Sequence, residues 1–496
     1  MATRVIGADE VLETSLLLPD PRGQQLQNKN TPRRSRWILL FVCFIIVTLD
    51  FGDYLSIAPQ LQIYEDIICH RVHPELFAGG LDRLTAASNA LCKSADVQGE
   101  LALLVGWKDT FSMLPGMILA IPFGLMADKV GRKPVIILSL AGVIMQECAI
   151  RLICWYHTSI PLQAVWFTPL FQIVGGGSQI ASSVAFTVIS DVFPVDKRAN
   201  AFLLMAAAML LSQILAAPLS AWLMSKDVWV PSLLGLAIEI CGFLPIFVFP
   251  ETGPKALDRP EDEIENEASE RDNESLPLTW VGIVRLVRTQ LSEVLRFVVG
   301  NANTLAIFFA FLTSSIGSQA LQFVLQYASK RFAWSVAEAT FLISLKGAVN
   351  LVAFLLIIPL ISKILDRYLS PLNRDLRITH ASICALIAGF AIMSVAAHPA
   401  LFGLGLSFSA LGWGFYMTLR SVGSALVAES HVGLFNTTIA LAEAVGSMIA
   451  GPLLALLLKA GMKWEGVWMG LPWMAATGLY LLAGMAVVCI RTSSGH

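Results

Sequence analysis

The chain has 496 residues, 56% hydrophobic and only 14% charged, with a mean hydropathy of +0.68, whereas soluble domains carry about 25% charged residues. That balance excludes a soluble globular protein and predicts an all-α polytopic membrane protein, with the lipid bilayer as its first partner. A net charge of -2 gives no reason to expect nucleic acid as a partner, so charge informs only by its position.

Residues 1–36 form a polar tail that ends in the basic stretch "KNTPRRSR" and has no signal-peptide core, so the first span is expected to be an uncleaved anchor. Apolar runs near the roughly 20 residues a bilayer requires then predict twelve spans. They lie at 37–59, 101–126, 134–156, 161–190, 200–224, 229–249, 302–326, 337–361, 379–397, 400–427, 433–458 and 467–490. With the N-terminus inside, 22 Lys and Arg fall in cytoplasmic segments, 8 in external loops and 4 within spans, which accounts for all 34. The reverse orientation would break the positive-inside rule, so both termini are expected in the cytoplasm.

Residues 250–279 are acidic, poor in aromatics and broken by Pro and Gly, a composition expected to stay solvated and disordered. "WVGIVRLVRTQLSEVLRFVVG" then spaces Trp280, Ile283, Val284, Val287, Leu291 and Val294 for a helix lying in the inner interface. The predicted organisation is a tail (1–36), a six-helix bundle (37–249), an acidic linker with its interfacial helix (250–299), a second six-helix bundle (300–490) and a short tail (491–496). The halves share a faint repeat: Asp191 and Glu429 open equivalent turns, "AAPLSA" parallels "AGPLLA", and Asp366-Arg367 echoes Asp128-Lys129. Such a parallel repeat is a transporter architecture.

"PFGLMADKVGRKPV" supplies Gly124, Asp128, Lys129, Gly131, Arg132 and Lys133 between the second and third spans. This pattern resembles in full the loop signature of the major facilitator superfamily (MFS). The resemblance implies two pseudo-symmetric bundles working by alternating access. It also implies a gate in which Asp128 meets the start of span eleven and Arg132 meets Asp191 when the inner side is closed. The alternative is that these bases only obey the positive-inside rule. "DVFPVDKR" and "PETGPK" resemble further family elements, and "VQGELALLVGWKDTF" with "IVGGGSQ" is similar to a fungal branch related to tetracycline-type and folate-type carriers.

An ionisable side chain at the bilayer centre costs about 2.5 to 3.5 kcal/mol on insertion scales, so polar residues inside spans mark a solute path or pair with one another. Gln172, Gly176, Gln179 and Ser183 share one face of span four. Ser315, Gln319, Gln322 and Gln326 share one of span seven, and Ser409, Trp413, Tyr416 and Arg420 nearly share one of span ten. Asp50 and Asp53 lie in span one, and the resemblance implies a central cavity lined by these four spans. Each Gln or Ser reads equally well as interhelical glue. Lys108, Asp109, Lys346 and Glu443 also fall inside spans, where Asp50 or Asp53 against Lys108 or Lys346, and Glu443 against Arg420, are geometrically feasible pairs. Glu147 and Arg151, one turn apart, read as a structural pair.

Drug antiporters of the family place an Arg in span four where Gln172 stands here, and their Gly-Pro motif in span five is reduced to "AAPLSAWL". Coupled protons would then be carried by Asp50, Asp53 or Glu443. Cys69 and Cys92 fall in the long first external loop and are expected to form a disulfide. "HRVH" at residues 70–73 is read as solvated loop and not as a metal site. No cofactor, metal or catalytic residue is expected: the chain has no phosphate-binding Gly-Lys loop and no nucleophile elbow.

The reading is a monomeric, proton-coupled secondary transporter exporting a small, partly apolar organic solute. Nutrient or organic-anion uptake and a non-transporting sensor on the same scaffold are the alternatives. Glu13, Leu17 and Leu18 resemble an acidic dileucine sorting signal, but plasma membrane is expected ahead of vacuole. Acceptor patterns at Asn273 and Asn436 map to the cytoplasmic side and should stay unmodified.

Overall fold

The computed structural model describes residues 32–74, 91–193, 195–248, 288, 292, 294–427 and 431–490. The sorting signal, the acidic linker with Asn273, most of the proposed interfacial helix, Pro194 and Glu429 lie outside them, as do the side chains of Asp128, Lys129 and Asp191. Each predicted span has a helical counterpart. These are α1 (Pro32–Val72), α2 (Ala95–Lys129), α3 (Arg132–Trp155), α4 (Gly177–Val192, preceded by a 3-10 segment Leu162–Val174), α5 (Val195–Met224) and α6 (Trp229–Val248). The second half holds α7 (Ala302–Arg331), α8 (Val336–Leu365), α9 (Pro371–Val395), α10 (Pro399–Leu426), α11 (Val432–Trp464) and α12 (Gly466–Val488).

Among the described residues, ten helices are long and apolar enough to cross a membrane; α2 and the segmented α4 are the two predicted spans outside that set. Large apolar side chains turned outward, such as Phe167, Trp222, Leu356 and Val488, are what a lipid-facing surface requires, since a soluble protein would bury them. Within the first half α1 packs against α5 and α6; within the second, α7 packs on α11 and α12 while α9 packs on α10 and α12. The halves meet where α2 runs against α11 and α5 against α8.

Glycine sets the closest of these approaches. A Cβ at Gly106 would stand 2.6 Å from the Gly451 carbonyl oxygen, so α2 and α11 touch backbone to backbone, the small-residue packing on which helices in lipid rely. Gly131, with φ of 126°, caps α3 in a conformation only glycine adopts readily, so the tight turn of the motif depends on it. Proline inside α1, α2, α5 and α11 is tolerated because neighbouring helices and polar side chains recover the freed carbonyls.

Besides α8, which holds a π-helical stretch at Ala353–Ile357, three helices among the described residues are interrupted at mid-course. Gly176 and Gly177, with φ of +79° and +76°, separate the 3-10 segment from α4. A 3-10 turn Gln319–Phe323 breaks α7, and Gly412–Gly414 breaks α10. Irregular backbone at membrane depth is affordable only where it lines a cavity or is covered by protein, and these breaks carry or adjoin Gln172, Gln319, Gln322 and Trp413.

Candidate functional site

A cavity of about 710 Å³ lies between the halves, lined from α1 to α8 and by α10. At one end it is closed. Cys69 and Cys92 are disulfide-bonded there, and Lys93 joins the halves by pairing with Glu65 at 2.6 Å and donating to Ser329 Oγ, also at 2.6 Å. Gln326 Nε2 adds a bond to the Gln98 carbonyl at 2.5 Å. At the opposite end, which carries Gly131, a Cβ added at Gly124 on α2 or at Gly433 on α11 would meet no described atom within 4 Å.

The two walls differ in charge. The first half contributes Asp50, Asp53, Lys108, Asp109, Glu147 and Glu239; the second contributes Lys346, with Gln319, Gln322 and Trp413. Lys108 Nζ lies 3.3 Å from its neighbour Asp109, a contact that only partly offsets either charge. Lys346 Nζ sits 5.4 Å from the centre of the Trp413 ring, within cation–π range. No carboxylate among the described residues lies within ion-pair distance of Lys346.

Arg151 ties three helices of the first half together. Buried at 5% exposure, it pairs with Glu147 at 2.7 Å, donates to Ser56 Oγ at 2.8 Å and reaches the Ser232 carbonyl from Nε and Nη2 at 3.1 and 3.0 Å. Its fork thereby links α1, α3 and α6. Gln60 donates to the same Glu147 carboxylate at 2.7 Å, leaving that acid well satisfied.

The predicted polar stripes divide between the cavity wall and contacts between helices. Asp50, Asp53, Gln172, Gln319, Gln322, Lys346 and Trp413 line the cavity. Gln172 is fixed there by donating to Gln146 Oε1 at 2.6 Å, while Gln322 donates to Gln319, which donates to Ser447 on α11 at 3.0 Å. Gln179, Gln326, Tyr416, Arg420 and Glu443 are not part of the cavity wall. Gln179 packs on α2 against Met113 and Gly116, and Gln326 belongs to the closed end. Tyr416 donates to the Ser314 carbonyl at 3.0 Å, and its hydroxyl lies 3.1 Å from that of Tyr480. Arg420 pairs with Glu443 at 3.3 Å. A helical stripe gives the face but not the depth, which explains this division.

At the motif end, Lys133 donates to the Phe247 carbonyl at 2.7 Å, tying α3 to α6. The corresponding end of the second half holds a charge cluster, with Arg374 contacting Asp366 and Asp375 at 2.7 Å each and Ser421 donating to Asp375 at 2.6 Å. Among the described residues, no group of three or more His, Cys, Asp or Glu could hold a metal ion.

Sequence reasoning missed Glu239, the only acid in an otherwise apolar run. The available signal was its spacing from Gly235 and Gly242 on one face of α6, which marks close packing around a charge.

Two helical halves with a largely apolar cavity between them that carries a few charged and polar side chains have the architecture of a transporter. A model of the Major Facilitator Superfamily matches residues 40–451, and the chain belongs to that family. It is 31% identical over 487 residues to the MFS efflux pump atnC of Emericella nidulans, covering 96% of this chain and 92% of that protein. It is 30% identical over 469 residues to the efflux pump ustT of Aspergillus flavus, covering 93% and 89%. A weaker likeness, 22% over 369 residues, extends to the class D tetracycline resistance protein of Salmonella ordonez, with 74% of this chain and 82% of that one covered. Among solved structures, a D-xylose-proton symporter shares the fold with a TM-score of 0.60 at 12% identity, covering 92% of this chain and 98% of that one.

Proposed function

We propose that this transporter exports a small, partly apolar organic solute by alternating access, in exchange for protons. The observation that carries the reading is the asymmetry of the cavity: acids concentrate on the first-half wall, while Lys346, Trp413 and two glutamines face them. An aromatic or amphipathic solute can stack on Trp413 and bond to Gln319 and Gln322. Protons load Asp50 and Asp53, which face the same space. The names of the relatives in Emericella and Aspergillus support export over uptake.

Arginine and lysine placement puts the motif end in the cytoplasm, so the conformation described is open inward and closed outward. In this reading Asp128, Arg132 and Asp191 act in the other state, latching the inner ends once the cavity turns outward. Glu443 is the weaker proton carrier of the three acids first considered, because Arg420 is its partner. The protein acts as a monomer in the plasma membrane.

Lys346 favours one second reading, the uptake of an organic anion, because it is the cation of the cavity wall without a carboxylate within reach among the described residues. Untargeted metabolite comparison of a deletion strain and its medium separates the two. Export predicts a compound retained in the deletion cells and depleted from their medium; uptake predicts the opposite.

A further inference from the structure

The carboxyl of Glu239 is 4% exposed and lines the cavity from α6, yet neither of its oxygens has a hydrogen-bond partner. Its position follows from helix packing. Gly52 on α1 and Gly235 on α6 bring the two helices together, and a Cβ at Gly52 would stand 2.7 Å from Glu239 Cγ and 2.6 Å from the Gly235 carbonyl oxygen. Glycine therefore makes the slot that holds the acid, and it also leaves no side chain at position 52 to donate to it.

The surrounding groups do not supply a counter-charge. From α1 come Asp50, Asp53 and Tyr54, all on the cavity wall. From α3 come Glu147, Cys148 and Arg151, whose guanidinium is taken up by Glu147, Ser56 and Ser232. The described side chains of α5, residues 201–224, include no ionisable group. A buried carboxylate with no donor and only acids free around it is strongly disfavoured, whereas the same carboxyl carrying a proton is neutral and fits the slot as it stands.

We propose that Glu239 is a proton-binding site in the cavity wall, and that loading and release of its proton shift the transporter between its inward-open and inward-closed states. This deepens the proton-coupled reading above and rests on it. With the proton bound, Glu239 sits in its slot between α1 and α6. Once the proton leaves to the cavity, the charged carboxylate must gain donors or water. The least disruptive way is movement of α6 against α1 at the glycine contact, which also shifts the Arg151 fork that joins both helices to α3.

The test uses the proton itself as ligand, on the full-length protein in nanodiscs. Infrared difference spectra between acidic and alkaline pH should contain a protonated-carboxyl C=O component that is absent from Glu239→Gln and restored in Glu239→Asp. Nitroxide pairs attached through Gly124→Cys and Gly433→Cys should report an inner-end distance distribution that changes with pH. In Glu239→Gln that distribution should stay at its acidic form throughout. An infrared spectrum identical in parent and Glu239→Gln overturns the site. A pH response of the distances that is unchanged in Glu239→Gln overturns its conformational role. Parent distances that ignore pH while the Glu239 component is present refute proton coupling, and with it the role, without touching the site.

Discussion

Lys93, in the turn before α2, bridges the two halves by pairing with Glu65 of α1 at 2.6 Å while donating to Ser329 of α7. Glu65 is itself buried at 4% exposure, so loss of Lys93 leaves a desolvated charge unpaired. Lys93→Met should favour opening at the disulfide end, because a hydrogen bond to a charged group contributes about 1.5–3 kcal/mol. A cysteine introduced at Ser329 should then react at least about tenfold faster with an impermeant maleimide, since each 1.4 kcal/mol is about tenfold. An unchanged rate would mean that Lys93 does not hold that end closed.

The glycine contact between α2 and α11 should be intolerant of bulk. At Gly451 a Cβ would stand 2.3 Å from Thr110 Oγ1 and 2.4 Å from the Gly106 carbonyl oxygen. Overpacking of this kind costs about 1–3 kcal/mol, so Gly451→Leu should lower the thermal midpoint and suppress transport. Gly478→Ala, with nothing within 4 Å, is the matched control and should be neutral. Equal midpoints for both variants would remove the contact from the account.

Arg151 is expected to be structural. Removing one partner of a buried ion pair costs about 3–5 kcal/mol, so Arg151→Met should destabilise the protein severely in detergent. Glu147→Gln keeps an acceptor for both Gln60 and Arg151 and should cost less. If Arg151→Met keeps its stability but loses transport, the side chain belongs to the mechanism instead.

The proposed latch of Asp128 and Arg132 in the inward-closed state carries a different prediction. Asp128→Asn and Arg132→Ala should slow turnover several-fold while surface delivery and stability of the inward-open state stay near parental levels. Lower expression with unchanged transport per molecule would assign these charges to biogenesis.

Most of the architecture was legible because span length, charge position and the motif are written locally in the chain. The glycine run in span four was read only for its family resemblance, whereas Gly175 lies against Leu138 and Ser139 of α3. What was hidden is radial depth. Gln326 and Gln322 share a stripe on α7, yet one binds the Gln98 carbonyl at the closed end and the other faces the cavity. Helical spacing cannot distinguish those fates, since both depend on where α2 crosses α7. Glu239 was missed for the opposite reason: the significance of one acid among apolar residues depends on Gly52, which lies 187 positions earlier in the sequence.

Among the described residues Asp50, Asp53 and Glu239 line the cavity without a salt-bridge partner, whereas Glu443, off the cavity wall, pairs with Arg420 at 3.3 Å. Movement of solute through this cavity against protons is measured by concentrative transport. The compound identified by the deletion strain would be followed into proteoliposomes under an imposed pH gradient, acidic inside. Proton-coupled export should give accumulation against the solute gradient by up to about tenfold per pH unit for one-for-one exchange, collapse on adding a protonophore, and loss in Asp53→Asn with solute exchange retained. Accumulation that is indifferent to the protonophore, or equilibration without accumulation, would contradict it.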